Sequence, residues 1–71
     1  MNCKEARSWL SSQGGTWRRD NLQRGYRVIV IVGDLTHAVE AIREGEFSVA
    51  LARAASELRS MLDDDGIARA P

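Results

Sequence analysis

The feature that most constrains this chain is a run of five β-branched aliphatic residues at positions 28–32, Val-Ile-Val-Ile-Val. Such side chains are stiff at χ1 and favour extended backbone, so the run predicts a strand. Because strand side chains alternate between two faces, the three valines point one way and Ile29 and Ile31 point the other. We therefore expect both faces of this strand to be covered.

Covering both faces is demanding for a chain of 71 residues. A domain of this size buries only about 60% of its unfolded surface. Burying five aliphatic side chains is worth roughly 1.5–3 kcal/mol each, a total comparable with the whole stability of a small domain. Either the N-terminal helix covers one face and C-terminal helices the other, or the strand pairs with its copy across a two-fold axis in a four-stranded sheet. We favour the homodimer.

The N-terminal half predicts a helix followed by a hairpin. An apolar stripe of helical period opens the chain and consists of Cys3, Ala6, Trp9 and Leu10. It predicts a helix over 2–12, with Asn2 as N-cap and Gly14-Gly15 after its end. A strand over 16–19, a long polar tip and a second strand over 26–32 then form the hairpin.

The C-terminal half predicts two helices. The first is capped by Asp34, carries its apolar face on Leu35, Ala38, Val39 and Ile42, and ends near Glu44. The second begins near Glu46 and ends near Leu62. Its broad apolar stripe consists of Phe47, Ala50, Leu51, Ala54, Leu58, Met61 and Leu62. The same helix is rich in alanine, with Ala50, Ala52, Ala54 and Ala55, which lets another helix approach closely; Ala52 and Ala55 lie beside the stripe and widen it.

The predicted fold is therefore α+β: an N-terminal helix, a β-hairpin and two C-terminal helices packed on a small antiparallel sheet. Residues 1–66 form a single domain, because three consecutive aspartates and Gly66 follow the last helix. Residues 67–71 form a frayed tail.

Composition favours an ordinary globular protein, with 44% apolar and 28% charged residues. Cys3 is the sole cysteine and His37 the sole histidine, so no internal disulfide and no zinc site built from Cys and His can form. No cofactor is indicated. The first residues lack the apolar run of a signal peptide, and the 28–32 run is too short to cross a membrane. These features predict a cytoplasmic protein.

Charge is divided between the two halves of a chain whose net charge is zero. Residues 1–33 hold six basic and two acidic residues, whereas residues 34–71 hold four basic and eight acidic residues. Such a division can steer a charged partner or attract a second copy head to tail. Alternatively, folding interleaves the two halves so that no charged patch survives.

Catalytic patterns are weak. His37 is the only imidazole that could act as a base, and no nucleophile or second group is identified beside it. Cys3 lies on an apolar stripe, which is typical of a small buried side chain. We therefore predict that the protein is not an enzyme and that His37 has a surface or capping role.

The hairpin is the preferred contact surface for a partner. It gathers aromatic and cationic side chains, of which Trp17, Arg18, Arg19, Arg24 and Arg27 are the candidate binding residues. Arginine binds carboxylates and phosphates alike, so these residues suit an acidic protein or a nucleic acid. A helix-turn-helix reader is disfavoured, because Glu40, Glu44 and Glu46 occupy positions where that motif needs apolar residues.

The sequence thus predicts a small non-enzymatic protein–protein interaction module. We expect it to act as a regulator or inhibitor, of the kind that bacteria and phages encode in short genes, by occluding a surface of a larger protein or assembly. The alternative is a nucleic-acid-binding protein that uses the arginine-rich and tryptophan-bearing hairpin.

Overall fold

A computed structural model describes the backbone of residues 1–69 and the side chains of residues 1–63. Its elements, in chain order, are α1 (Cys3–Ser12), β1 (Thr16–Asn21), β2 (Tyr26–Val32), β3 (Leu35–Ala41), a 3₁₀ turn (Glu44–Glu46) and α2 (Phe47–Arg69). The strands form an antiparallel sheet in the order β1-β2-β3. The α+β class is confirmed, but the arrangement differs from the prediction after residue 33.

Helix α1 begins and ends as the sequence predicts. The Asn2 side chain accepts a hydrogen bond from the Glu5 amide at 2.8 Å, as an N-cap does. At the other end Gly14 has a φ of 67°, and the Gly15 amide donates to the Leu10 carbonyl at 2.7 Å. This closure satisfies carbonyl groups that the last turn of a helix leaves unpaired.

The predicted hairpin is also present. β1 pairs with β2 from Thr16 opposite Ile31 to Asn21 opposite Tyr26, and it is two residues longer than predicted. The 28–32 run lies in β2, which is the central strand. The most strongly apolar segment of the sequence is therefore the strand with a neighbour on each side.

The helix predicted over 34–44 is wrong, because Leu35–Ala41 form β3. Gly33 and Asp34 make a two-residue turn between β2 and β3. Gly33 has a φ of 59°, and a glycine at the first position of such a turn matches a type II′ hairpin. Asp34 is thus a turn residue and not a helix cap. Among residues 1–69 there are two α-helices and three strands, instead of the predicted three helices and two strands.

The prediction that the last helix ends near Leu62 is wrong as well, since the α2 backbone stays helical to Arg69. Gly66 disfavours a helix interior by about 1 kcal/mol but does not prevent helical geometry. The predicted tail is helical as far as Arg69, and residues 70–71 lie outside the described residues. Even at 23 residues α2 is not apolar enough to cross a membrane, and neither is the other described helix.

The buried core cluster lies on one face of the sheet, where both helices pack. From β2 it takes Tyr26, Val28 and Val30, with Val32 packed against them. The helices supply small and aliphatic side chains, namely Ala6, Leu10, Ala50, Leu51, Ala54, Ala55 and Leu58. Helices α1 and α2 pack against each other in this cluster, in which Ala50, Ala54 and Ala55 of α2 are buried.

The opposite face of the sheet carries Ile29 and Ile31 and is covered by no element of the described chain. The expectation that the N-terminal helix covers one face and C-terminal helices the other is therefore wrong, since both helices pack on the same face. Ile29 is nevertheless only 7% exposed, because it lies on the central strand between its cross-strand neighbours Arg18 and Ala38. The predicted four-stranded sheet through this strand is excluded too, since β1 and β3 occupy both of its edges.

Candidate functional site

The structure divides the five predicted contact residues between two faces of the sheet. Trp17 and Arg19 point toward the helices, where both contact Phe47. Arg18 and Arg27 alternate with them in the ladder and lie on the open face. Arg24 lies in the loop between β1 and β2. The hairpin therefore does not gather these side chains into one surface.

Three of the hairpin arginines have carboxylate partners. On the open face Arg18 lies 3.6 Å from Asp20, and Arg27 lies 3.2 Å from Glu40. On the helix side Arg19 forms a bidentate ion pair with Glu44. Its Nη1 donates to Oε2 at 2.8 Å, and its Nη2 donates to Oε1. The last two pairs join the basic first half of the chain to the acidic second half. At these residues, therefore, folding interleaves the basic and acidic halves of the chain.

An aromatic–arginine cluster forms where β1 and β2 meet the start of α2. The Arg19 guanidinium lies 4.0 Å from the ring centre of Tyr26 and 5.9 Å from that of Phe47. Trp17 packs on Phe47 with ring centres 5.3 Å apart, and the Arg7 guanidinium lies 5.5 Å from the Trp17 ring centre. The cluster combines cation–π contacts with a carboxylate pair.

The cluster fastens the connection between β3 and α2 to the sheet. The Tyr26 hydroxyl donates to the Arg43 carbonyl at 2.7 Å, and burial raises the pKa of that hydroxyl. The hydrogen bond with Arg19 lowers the pKa of the Glu44 carboxyl and raises the pKa of the guanidinium. Arg19, Tyr26 and Glu44 are each held in the protonation state that preserves these contacts. These three residues form a structural clasp.

His37 lies in β3 and not in the first turn of a helix. Its Nε2 atom is 3.2 Å from Oε2 of Glu57 on α2. Glu57 also accepts a hydrogen bond from Nε of Arg53 at 3.0 Å. The hydrogen bond with His37, assisted by Arg53, lowers the pKa of Glu57. His37 thus joins the outer strand to α2.

We expect acid to weaken the fold through Glu44 and Glu57. Both carboxyls have a folded-state pKa below the ordinary value of about 4.5. Their contribution to stability is therefore fully present above pH 4.5 and is lost as the pH falls through the lower folded-state values. Urea unfolding followed between pH 7 and pH 3 should show this loss.

Glu44→Gln should reduce the loss of stability on acidification. Glu46→Gln is a matched control, because Glu46 lies in the same 3₁₀ turn and forms no ion pair within the described part of the chain. Equal acid sensitivity of wild type and Glu44→Gln would contradict the role given to the clasp.

An apolar groove separates the beginning of α1 from the beginning of α2. It forms an open concavity of about 430 Å³, lined by Met1, Asn2, Cys3, Ser48, Val49, Ala52 and Arg53. Val49 is 68% exposed and Met1 is 41% exposed. Exposed apolar side chains grouped around a concavity are typical of a binding surface.

Sequence reasoning missed this groove. Its lining comes from two segments more than forty residues apart, so no local pattern joins them. One signal was available: Val49 is an aliphatic residue that departs from the apolar stripe of α2. A helix that carries a large aliphatic side chain away from its core face presents that side chain to solvent or to a partner. Cys3, expected to be buried, lines the groove and is partly exposed.

The groove differs in kind from the clasp and from the His37–Glu57 contact. Those two arrangements join elements of the fold to one another, whereas the groove presents apolar side chains outward.

Within residues 1–63, no group of three His, Cys, Asp or Glu side chains is placed to hold a metal ion. Comparison with protein-family models, with curated proteins and with solved structures finds no match to this chain.

Proposed function

We propose that this chain is a protein-binding module which, without catalysing a reaction, regulates or inhibits a larger protein by covering part of its surface. The observation that carries the proposal is the groove between α1 and α2, with Val49 and Met1 exposed beside it. A partner that inserts an apolar side chain there removes both from water.

The size of the groove suits an apolar anchor from a protein. Cavities of about 300–1,000 Å³ hold compact ligands of mainly apolar surface, and this one measures about 430 Å³. Fully burying one large aliphatic side chain is worth about 1.5–3 kcal/mol. Association itself costs several kcal/mol, so binding needs more than one such anchor together with contacts at the rim.

The rim defines the polarity of the partner. Arg53 donates Nε to Glu57, yet 71% of its side chain is exposed. Its guanidinium can therefore also bind a carboxylate of the partner. Asn2 and Ser48 supply further polar groups at the border of the groove. A partner segment with an aliphatic side chain next to an acidic residue fits this surface.

The ion pairs of the hairpin support protein binding over the nucleic-acid alternative. Binding to nucleic acid depends on basic side chains that neutralise phosphates. Arg18, Arg19 and Arg27 already face carboxylates of this chain. A phosphate would have to compete with those carboxylates, and it would be repelled by them.

Val49→Arg is expected to abolish partner capture without unfolding the protein. The substitution places a charge beside the apolar groove, which opposes the burial of an apolar side chain there. It should not unfold the protein, because exposed positions usually tolerate substitution within about 0.5 kcal/mol. Ile42→Arg is the matched control, because Ile42 is also β-branched and is 76% exposed, but it lies outside the groove lining.

The measurement is affinity capture from lysate of the source cells with the three proteins as bait. A protein retained by wild type and by Ile42→Arg, but lost with Val49→Arg, supports the proposal. Equal capture by all three baits would remove the groove from consideration. Retention of labelled RNA or DNA on filters, falling steeply with salt, would favour the nucleic-acid alternative instead.

A further inference from the structure

Strand β3 has an open edge that is suited to pairing. In the described part of the chain it pairs with β2 alone. Its seven residues follow β2 without a break in register, from Leu35 opposite Val32 to Ala41 opposite Tyr26, so no bulge distorts the edge. A regular outer strand presents a row of unpaired backbone donors and acceptors to any matching strand.

The two outer strands of the sheet are protected to different degrees. β1 carries three consecutive charged residues, Arg18, Arg19 and Asp20, and charge is a common protection of exposed edges. In β3 the only acidic or basic residues are His37 and Glu40. Thr36, near the start of that strand, and Ala38, at its centre, are small and exposed. The edge of β3 is therefore the less protected one.

We propose that β3 pairs antiparallel with β3 of a second copy of this chain, about a two-fold axis that passes through Ala38. In this register Ala38 faces the partner's Ala38, and Thr36 faces the partner's Glu40. The axis is perpendicular to the sheet, so the helices of both copies lie on the same face and the sheet becomes six-stranded.

Three observations favour a second copy as the occupant of the edge. The pairing places no two like charges directly opposite each other, as a stable antiparallel pair requires. The net charge of the chain is zero, so two copies do not repel each other as whole molecules. The pairing also extends the antiparallel pattern that the sheet already has. The dimer does not depend on the function proposed for the groove, because Val49 and Met1 do not lie on β3.

A charge-swap experiment at Ala38 tests the register. Side chains directly opposite in an antiparallel pair have Cβ atoms about 5 Å apart, and like charges there are destabilising. Ala38→Lys and Ala38→Asp should each weaken the dimer at least tenfold, whereas an equimolar mixture of the two variants should restore it. Thr16→Lys is the control, because Thr16 is exposed on the same face but lies on β1.

The readout is light scattering after gel filtration, supported by sedimentation equilibrium. Wild type and Thr16→Lys should show twice the chain mass of 7.9 kDa, and each Ala38 variant alone should show that mass once. A monomeric wild type at about 100 micromolar overturns the proposal. A dimer that survives in both Ala38 variants, or a mixture that stays monomeric, overturns it as well.

Hydrogen exchange of the unmodified protein provides a test that needs no variant. Those amides of β3 that point away from β2 should exchange more slowly as protein concentration rises, while the amides on the outer edge of β1 should not change. Protection of β3 that does not depend on concentration would contradict the pairing.

Discussion

Truncation of Leu51 to alanine is expected to lower the free energy of unfolding by about 2–5 kcal/mol. Leu51 is fully buried on α2, within the core cluster between the helices and the sheet. Its removal loses apolar burial and leaves a cavity that the neighbouring side chains fill only in part. A domain of this length is stable by roughly 4–10 kcal/mol, so one substitution removes a large part of the total.

Val49→Ala is the control for Leu51→Ala, because Val49 lies two residues earlier on the same helix but is mostly exposed. It should change stability by no more than about 0.5 kcal/mol. Urea denaturation monitored by circular dichroism measures both variants. Similar losses in the two would mean that α2 does not bury the face assigned to it.

Replacement of Gly25 with alanine is the second change expected to have a large effect, at least about 2 kcal/mol. Gly25 ends the loop between β1 and β2 and has a φ of 81°. At this φ a residue that carries a Cβ atom is strained. Its carbonyl accepts the Leu22 amide at 3.0 Å. An added methyl group would collide with the Ala41 carbonyl oxygen and lie 3.0 Å from the Ile42 Cα atom. Backbone strain and a collision with backbone atoms therefore act together.

Alanine substitutions at two other glycines separate the effect of backbone strain from that of the collision. Gly14→Ala has a similar positive φ, 67°, but among the described residues no atom beyond the chain neighbours lies within 4 Å of the added carbon, so it should show the strain alone. Gly45→Ala meets neither obstacle and should be nearly neutral. Thermal unfolding of the three variants should rank them with Gly25→Ala lowest. A Gly25→Ala variant as stable as Gly14→Ala would show that the end of β3 moves aside freely.

The first half of the fold could be predicted because its signals are local. The capping of α1 by Asn2, the positive φ of Gly14 and the β-branched run of β2 each depend on residues close together in the chain. Their physical rules concern backbone geometry and side-chain stiffness. The structure confirms all three.

The helix predicted over 34–44 is wrong because the apolar residues of β3 fit two periods. Leu35 and Val39 are four residues apart, which suits one face of a helix, but they also belong to an alternating series with His37 and Ala41. The choice is decided by pairing with β2, which has a free edge that a strand can complete. Gly33-Asp34 was consistent with either reading, since aspartate occurs both in turns and at helix caps.

The candidate site could not be predicted from local patterns. Arg19 finds its carboxylate partner 25 residues away at Glu44, so the hairpin appears as a cationic surface until the chain is folded. The groove likewise joins Met1 to Val49 across most of the chain. Such arrangements depend on how elements pack, and the order of residues alone does not define them.

The order β1-β2-β3 has a consequence for how the chain reaches its folded state. Each strand is hydrogen-bonded to the strand that precedes or follows it, and one of the two turns is only two residues long. Contacts of low sequence separation form quickly, since little loop entropy is lost in closing them. The meeting of the first helix with the last closes the longest loop, and we therefore expect it to be the late event that completes the core.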